Sequence, residues 1–261
     1  MKRREIKINK DAFPGVFANY FSCARVFDSS CSPEAKVYFI DRDVGYFLKV
    51  SEKGTLKREA ELDAYFGAKG LGARVVSYLS EDKDYLLTER VIGEDCTDAR
   101  YLADPKKLCD LIAKRLRALH SLDFSDCKVK NRNAEYIETL KTNHKNGKYD
   151  PSFLPPHMAK MTSEEAYGFA LGAEEAFACD ALIHGDYCLP NIILDDWRFS
   201  GFVDLGNGGV GERHIDLFWG AWTLAYNLKT DEYRDRFFDA YGRDAVDPDK
   251  LEIVAACEAF G

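Results

Sequence analysis

His184-Gly185-Asp186-Tyr187-Cys188-Leu189-Pro190-Asn191, followed thirteen residues later by Asp204-Leu205-Gly206, is the stretch on which the reading of this chain turns. An Asp, an Asn five positions on and a second Asp opening a D-x-G triplet are the parts that metal-assisted phosphoryl transfer needs. One carboxylate orients the attacking hydroxyl. An amide oxygen and another carboxylate hold Mg²⁺ against a triphosphate. Any one of these residues alone reads as a turn or cap residue; the ordered set carries the meaning.

Protein kinases write the same parts as H-R-D-x-x-x-x-N followed by D-F-G. Here the Asp-to-Asn spacing is kept, Gly185 stands for Arg, and Leu205 stands for Phe. Asp186 is therefore the expected catalytic carboxylate, Asn191 and Asp204 are the expected metal ligands, and His184 is expected to orient the loop by hydrogen bonding. Two short apolar runs, Ile192-Ile193-Leu194 and Gly201-Phe202-Val203, surround Asp195-Asp196-Trp197-Arg198. They predict a hairpin that joins the two halves of the motif.

Upstream, β-branched and aromatic runs within 35–50 flank Asp41-Arg42-Asp43 and predict another hairpin. A helical pattern runs from Leu56 to about Phe66, where Gly67 and Gly70 break it, and Val75–Tyr78 and Tyr85–Thr88 predict two more strands. Lys49 ends the second strand of the hairpin. A nucleotide enzyme needs such a cation on the phosphates and a carboxylate to hold it. The following helix offers Glu59 or Glu61, and spacing alone does not choose between them. No G-x-G-x-x-G loop precedes the lysine; the turn Ser29–Lys36 takes its place, with Ser32 and backbone N–H groups able to face a phosphate.

After Gly93 the pattern changes. Leu108, Leu111, Ile112, Leu116 and Leu119 share one helical face, residues 141–163 read as a long surface segment, and Tyr167–Ala178 reads as helix. Two helices, about 215–228 and 231–241, and helical turns within 248–260 finish the chain. The expected organisation is α+β: a nucleotide-binding, sheet-rich lobe over 1–92 and a larger helical lobe over 93–261, with ligands in the cleft between them.

The bulk properties agree with one such protein of 261 residues. Eight Cys occur with no C-x-x-C pair, which points to free thiols rather than a zinc site. No apolar segment follows the basic start Met1-Lys2-Arg3-Arg4, and the stretch 215–228 is too short to span a bilayer. A cytoplasmic protein is expected, with no membrane or nucleic-acid partner, as a monomer or weak dimer. Residues 1–149 carry 28 Lys+Arg against 23 Asp+Glu, and residues 150–261 carry 8 against 21. A basic first part suits a polyanionic nucleotide, and an acidic second part suits a cation.

Taken together, these residues resemble the aminoglycoside 3′-phosphotransferase (kanamycin kinase) family, whose fold is two-lobed and protein-kinase-like. Ser32-Pro33-Glu34-Ala35-Lys36 resembles its phosphate-loop hairpin, and Phe47-Leu48-Lys49 its lysine strand. Arg58-Glu59 resembles its helix carboxylate, which favours Glu59. Thr88, Arg90 and Val91 fall where the family's hinge backbone binds adenine, and Val203, just before the metal aspartate, is expected among the nucleotide-binding residues. Asp216 resembles a buried Asp that braces the catalytic loop. Cys257-Glu258-Ala259-Phe260 resembles an acidic, aromatic C-terminus that binds the antibiotic. Asn207 departs from the Arg that usually follows D-x-G, Glu212 replaces a usual Asp, and Ala225-Tyr226-Asn227 is not acidic where antibiotic-binding relatives can be.

The resemblance implies an enzyme that uses Mg²⁺ and ATP or GTP to phosphorylate a hydroxyl, 3′ in the family, of an aminoglycoside, giving resistance. Its acceptor site would draw on Asp186, Asp150, Asn207, Tyr226, Glu258 and Phe260. One alternative is a kinase of choline, an amino alcohol or another sugar, for which Trp219, Trp222 and Tyr226 could supply part of an aromatic cage, although core packing is the preferred reading of that stripe. The other is a nucleotide-binding regulatory module without catalysis, for which Asp186 has no use.

Overall fold

The computed structural model describes residues 4–31, 33 and 35–261, so the expected phosphate-loop residue Ser32 lies outside the described residues. Internal contacts divide the chain into two compact units. The first runs to Asp95 and includes Ile192–Gly206; the second comprises Cys96–Asn191 and Asn207–Gly261. Where the sequence suggested one cut after residue 92, the hairpin of the motif joins the first unit. Its strands β9 (Ile192–Asp195) and β10 (Arg198–Phe202) form a sheet with β7 (Glu94–Asp95). Gly93 lies so close to the Leu194 backbone that any Cβ there would collide with it.

The main sheet of the first unit is antiparallel, in the order β1 (Arg4–Glu5), β2 (Arg25–Asp28), β3 (Ala35–Asp41), β4 (Tyr46–Glu52), β6 (Lys83–Glu89), β5 (Val75–Ser80). The first two strands were not expected. Val26, Ile40, Leu48 and Leu87 bury one face of it, together with Phe17 and Phe21 from the turns before β2. Full burial of each large side chain contributes about 1.5–3 kcal/mol. Helix α1 (Lys57–Ala68) has no side-chain N-cap of its own. Buried Asp84 of β6 supplies one from the sheet: its carboxylate accepts from Leu56 N at 2.9 Å, and from Tyr78 and Ser80.

The second unit is mainly helical. Helix α2 (Pro105–His120) is capped by Asp104 and buries Leu108, Ile112, Leu116 and Leu119. Helix α3 (Arg132–Lys145) is capped by Asn131 and takes in the start of what read as a surface segment over 141–163. Leu140 on α3 belongs to an apolar cluster with Tyr136 and Ile137 packed against it, so that stretch is anchored rather than loose. The helix expected over 167–178 is displaced. A capping box of Thr162 and Glu165 starts α4 at Ser163, and α4 ends at Ala170 ahead of Gly172. Helices α5 (Arg213–Leu228), α6 (Arg234–Tyr241) and α7 (Pro248–Glu258) follow, α6 starting three residues later than expected. Strands β8 (Ala181–Ile183) and β11 (Gly209–Gly211) pair antiparallel on either side of the catalytic-loop sequence. No helix among the described residues is long and apolar enough to cross a membrane.

Candidate functional site

In the first unit the strand register sets Lys49 of β4 between Val37 and Leu86. Its Nζ lies 2.8 Å from both Glu59 oxygens and 3.0 Å from Asp204 Oδ1. Helix phase settles the choice of carboxylate: Glu59 is buried on the inner face of α1, while Glu61 is exposed. Burial alone would lower the Lys49 pKa, but the Asp204 and Glu59 charges more than offset it and hold the ammonium above the usual lysine range. Burial raises Glu59, with Lys49 opposing.

Asp204 adopts φ +60°, a left-handed conformation that Asp tolerates better than most residues and that persists where surroundings demand it. Arg58 Nε donates to Gly206 O at 2.8 Å, tying the end of the D-x-G triplet to α1. Thr88 pairs with Phe47 in the sheet, Arg90 N donates to Gly45 O at 2.9 Å, and Val91 packs where a Cβ on Gly201 would stand. Half-buried Val203 leads into Asp204.

In the second unit Asp186 is half-buried. Its Oδ2 accepts from Asn191 Nδ2 at 2.9 Å, and the same nitrogen donates to Asp186 O at 3.0 Å. The five-residue spacing thus closes a loop in which the amide fixes the carboxylate and keeps its own carbonyl as the oxygen donor. Asp216 is fully buried; its oxygens accept from His184 N and Gly185 N, each at 2.7 Å, and it faces His120 Nε2 at 3.1 Å. Buried His184 accepts from Asp186 N through Nδ1 at 3.3 Å. The loop is therefore held from both ends before any ligand arrives, the pre-organisation that positional catalysis uses.

The expected acceptor residues separate into three kinds. Glu258 is buried in the second unit, with Oε1 accepting from Tyr136 at 2.6 Å and Trp219 at 3.1 Å. Burial raises its pKa to about 7 against those two hydrogen bonds, and the nearby Asp186 charge pushes the same way. Tyr226 is 57% exposed. Asp150 is an exposed cap, accepting from Ser152 N, while its own N–H donates to Ala259 O at 2.7 Å. Phe260 is not a surface ring: it is 1% exposed, packed against Tyr149, Tyr167 and His144 in the core.

Asn207 receives the guanidinium that its position lacks. Arg132 Nε donates to Asn207 O at 2.9 Å, and Nη2 to its Oδ1 at 3.3 Å. Sequence reading missed Arg132, and with it Tyr136 and His120. Each reaches its partner across 75 or more residues, where no spacing rule applies. Among the described residues no group of three or more His, Cys, Asp or Glu converges as a metal site.

Residues 25–253 match the model of the Phosphotransferase enzyme family. A probable aminoglycoside 3′-phosphotransferase of Lactococcus lactis subsp. lactis is 48% identical over 99% of this chain and 98% of its own length. A solved aminoglycoside-3′-phosphotransferase of type VIII, 24% identical, has a TM-score of 0.75 over 96% of each chain. The Streptomyces rimosus aminoglycoside phosphotransferase solved with ADP and streptomycin, 21% identical, has a TM-score of 0.67 over 86% of this chain and 90% of its own. These likenesses establish the expected α+β, protein-kinase-like fold.

Proposed function

This chain belongs to the Phosphotransferase enzyme family, and from that premise we propose that it phosphorylates a hydroxyl, the 3′-hydroxyl by resemblance, of an aminoglycoside antibiotic. The observation that carries the reading is Asp186, held by Asn191 within a loop that Asp216 braces. A binding-only module would gain nothing from a carboxylate fixed in this way.

In the proposed reaction the acceptor hydroxyl hydrogen-bonds to Asp186, which accepts its proton as the oxygen attacks the γ-phosphorus. The new O–P bond forms, the bond to the bridging oxygen breaks, and ADP or GDP leaves. Lys49 holds the donor's phosphates, and Glu59 keeps its ammonium directed and charged. Asp204 now occupies part of that ammonium, so a phosphate oxygen would replace it there. The Asp204 carboxylate and the Asn191 side-chain carbonyl are hard oxygen donors that suit Mg²⁺. Mg²⁺, when bound, neutralises charge on the phosphates. The resemblance sets adenine or guanine against Thr88, Arg90 and Val91. The donor nucleotide makes the cytoplasm the proposed location.

The acceptor is proposed as a cationic aminosugar because residues 150–261 hold an acidic excess and Glu258 stands near Asp186. A coupled assay with kanamycin and neomycin tests this, with mass spectrometry for a phosphate gain. Drug-dependent release of ADP or GDP is expected, and it should fall about 1,000-fold in Asp186→Asn. Folded protein that releases neither nucleotide would refute the aminoglycoside reading.

A further inference from the structure

Helix α5 carries three aromatic rings on one stripe. Trp219 and Trp222 lie with centroids 5.3 Å apart, and Trp222 stacks on Tyr226 at 4.9 Å with planes 11° apart. Phe153, brought in by the turn that Asp150 caps, closes on Trp219 and Trp222 at 5.8 Å each. The stack runs from the core to the surface: Trp219 packs against Ile183, Ile215 and Val254, Phe153 and Trp222 are half-buried, and Tyr226 at the outer end is exposed. A stack built for core packing alone would bury its outer members.

One contact ties the stripe to the C-terminal helix α7 and another ties it to the catalytic loop. Trp219 Nε1 donates to Glu258. Thr223, on the same stripe, accepts from Leu189 N at 3.1 Å through Oγ1. A third contact indicates what the stack attracts: the Lys229 ammonium lies 4.2 Å from the centre of the Tyr226 ring. The outer end of the stack therefore already holds an ammonium, supplied by the chain itself.

We infer that Phe153, Trp219, Trp222 and Tyr226 form the wall against which the acceptor's aminosugar ring lies, with a ligand ammonium displacing Lys229 from Tyr226. The inference rests on the proposed aminoglycoside reading. The C–H face of a pyranose ring lies along the edge of the stack, and its ammonium takes the outer face of Tyr226 that Lys229 now covers. Glu258 supplies the opposing charge at the Trp219 end. This chain thus uses rings where carboxylates would serve, and Lys229 acts as an internal competitor that sets the affinity threshold.

The test is tryptophan fluorescence in a Trp197→Phe background, which leaves Trp219 and Trp222 as the only reporters. Titration with kanamycin without nucleotide should give a saturable change, and choline none. Tyr226→Ala should weaken the kanamycin Kd about fivefold. Tyr226→Phe should keep it, and Lys229→Met should tighten it about twofold, a sign that damage to the fold would not produce. KM for nucleotide should not move. If kanamycin is phosphorylated but Tyr226→Ala and Lys229→Met bind it like the parent, the wall is wrong and the aminoglycoside reading stands. If the parent enzyme turns over choline and no aminoglycoside, both fall together.

Discussion

Gly185 packs against the backbone of Asn207 so closely that a Cβ at position 185 would overlap the Asn207 carbonyl oxygen, which itself accepts from Arg132 Nε at 2.9 Å. Gly185 also has φ +81°, a conformation that glycine enters without steric cost. The Arg of H-R-D therefore has no room here: H-G-D and the segment after D-L-G fit each other. Gly185→Ala should destabilise the protein by about 3 kcal/mol, combining strain with overpacking. It should also lower kcat, because Asp186 is the next residue. Urea unfolding checks the first effect and steady-state kinetics the second.

Lys49 meets two carboxylates, Glu59 and Asp204, and removing it leaves Glu59 buried with no cation. Lys49→Ala should lower kcat/KM about 100-fold through loss of charge stabilisation at the phosphates. KM for the acceptor should hardly change. Glu59→Gln should act in the same direction but more weakly, because the ammonium remains while its anchor is reduced. Kinetics with nucleotide and acceptor varied separately would reveal a wrong assignment, since an acceptor-binding lysine would invert the pattern.

The parts of the site that were legible in the chain are those whose chemistry is local. Asp186 and Asn191 are five residues apart because the amide must turn back onto the carboxylate, and that geometry survives as spacing. The proposed partnership of Lys49 with Glu59 needed the resemblance, since Glu59 and Glu61 differ only in helix phase. Contacts across long separations left no trace. Strands β1 and β2 add to a sheet edge through backbone hydrogen bonds that impose little on side-chain pattern. Helix α3 was hidden among Asn and Lys, because its buried face is narrow and includes Arg132, Asn133 and Asn143. The fold class and the family reading needed none of these.

Asn207 looked like a weakness, since the resemblance implied an Arg after the D-x-G triplet. The guanidinium comes instead from Arg132, which is 8% exposed. Restoring the family residue by Asn207→Arg should therefore hurt, setting a second cation beside Arg132 at a cost of about 1 kcal/mol. Adding Arg132→Asn should recover part of the loss. A double-mutant cycle by thermal or urea unfolding measures the coupling, and additive effects would show the two positions to be independent.

Two buried glutamates in the second unit should drive stability in opposite directions with pH. Burial would raise Glu212, but His214 at 2.5 Å, Lys250 at 2.8 Å and Ala178 N at 2.9 Å hold it at about 2. Its folded pKa lies below its usual 4.5, so its contribution is full above pH 4.5 and is lost as pH falls toward 2. Burial raises Glu258 to about 7, so ionising it in the folded state carries a cost that is absent below pH 4.5, grows up to pH 7, and stays constant above. Glu258→Gln should thus gain stability relative to the parent between pH 4.5 and pH 7, because a Gln oxygen still accepts from Tyr136 and Trp219. Glu212→Gln should lose stability throughout neutral pH and flatten the acid limb. If the proposed acceptor needs ionised Glu258, its KM should rise about tenfold from pH 8 to pH 6 in the parent and stay level in Glu258→Gln. Urea unfolding and acceptor kinetics across that range check both effects; a parent KM independent of pH would remove Glu258 from acceptor binding and leave it a structural acid.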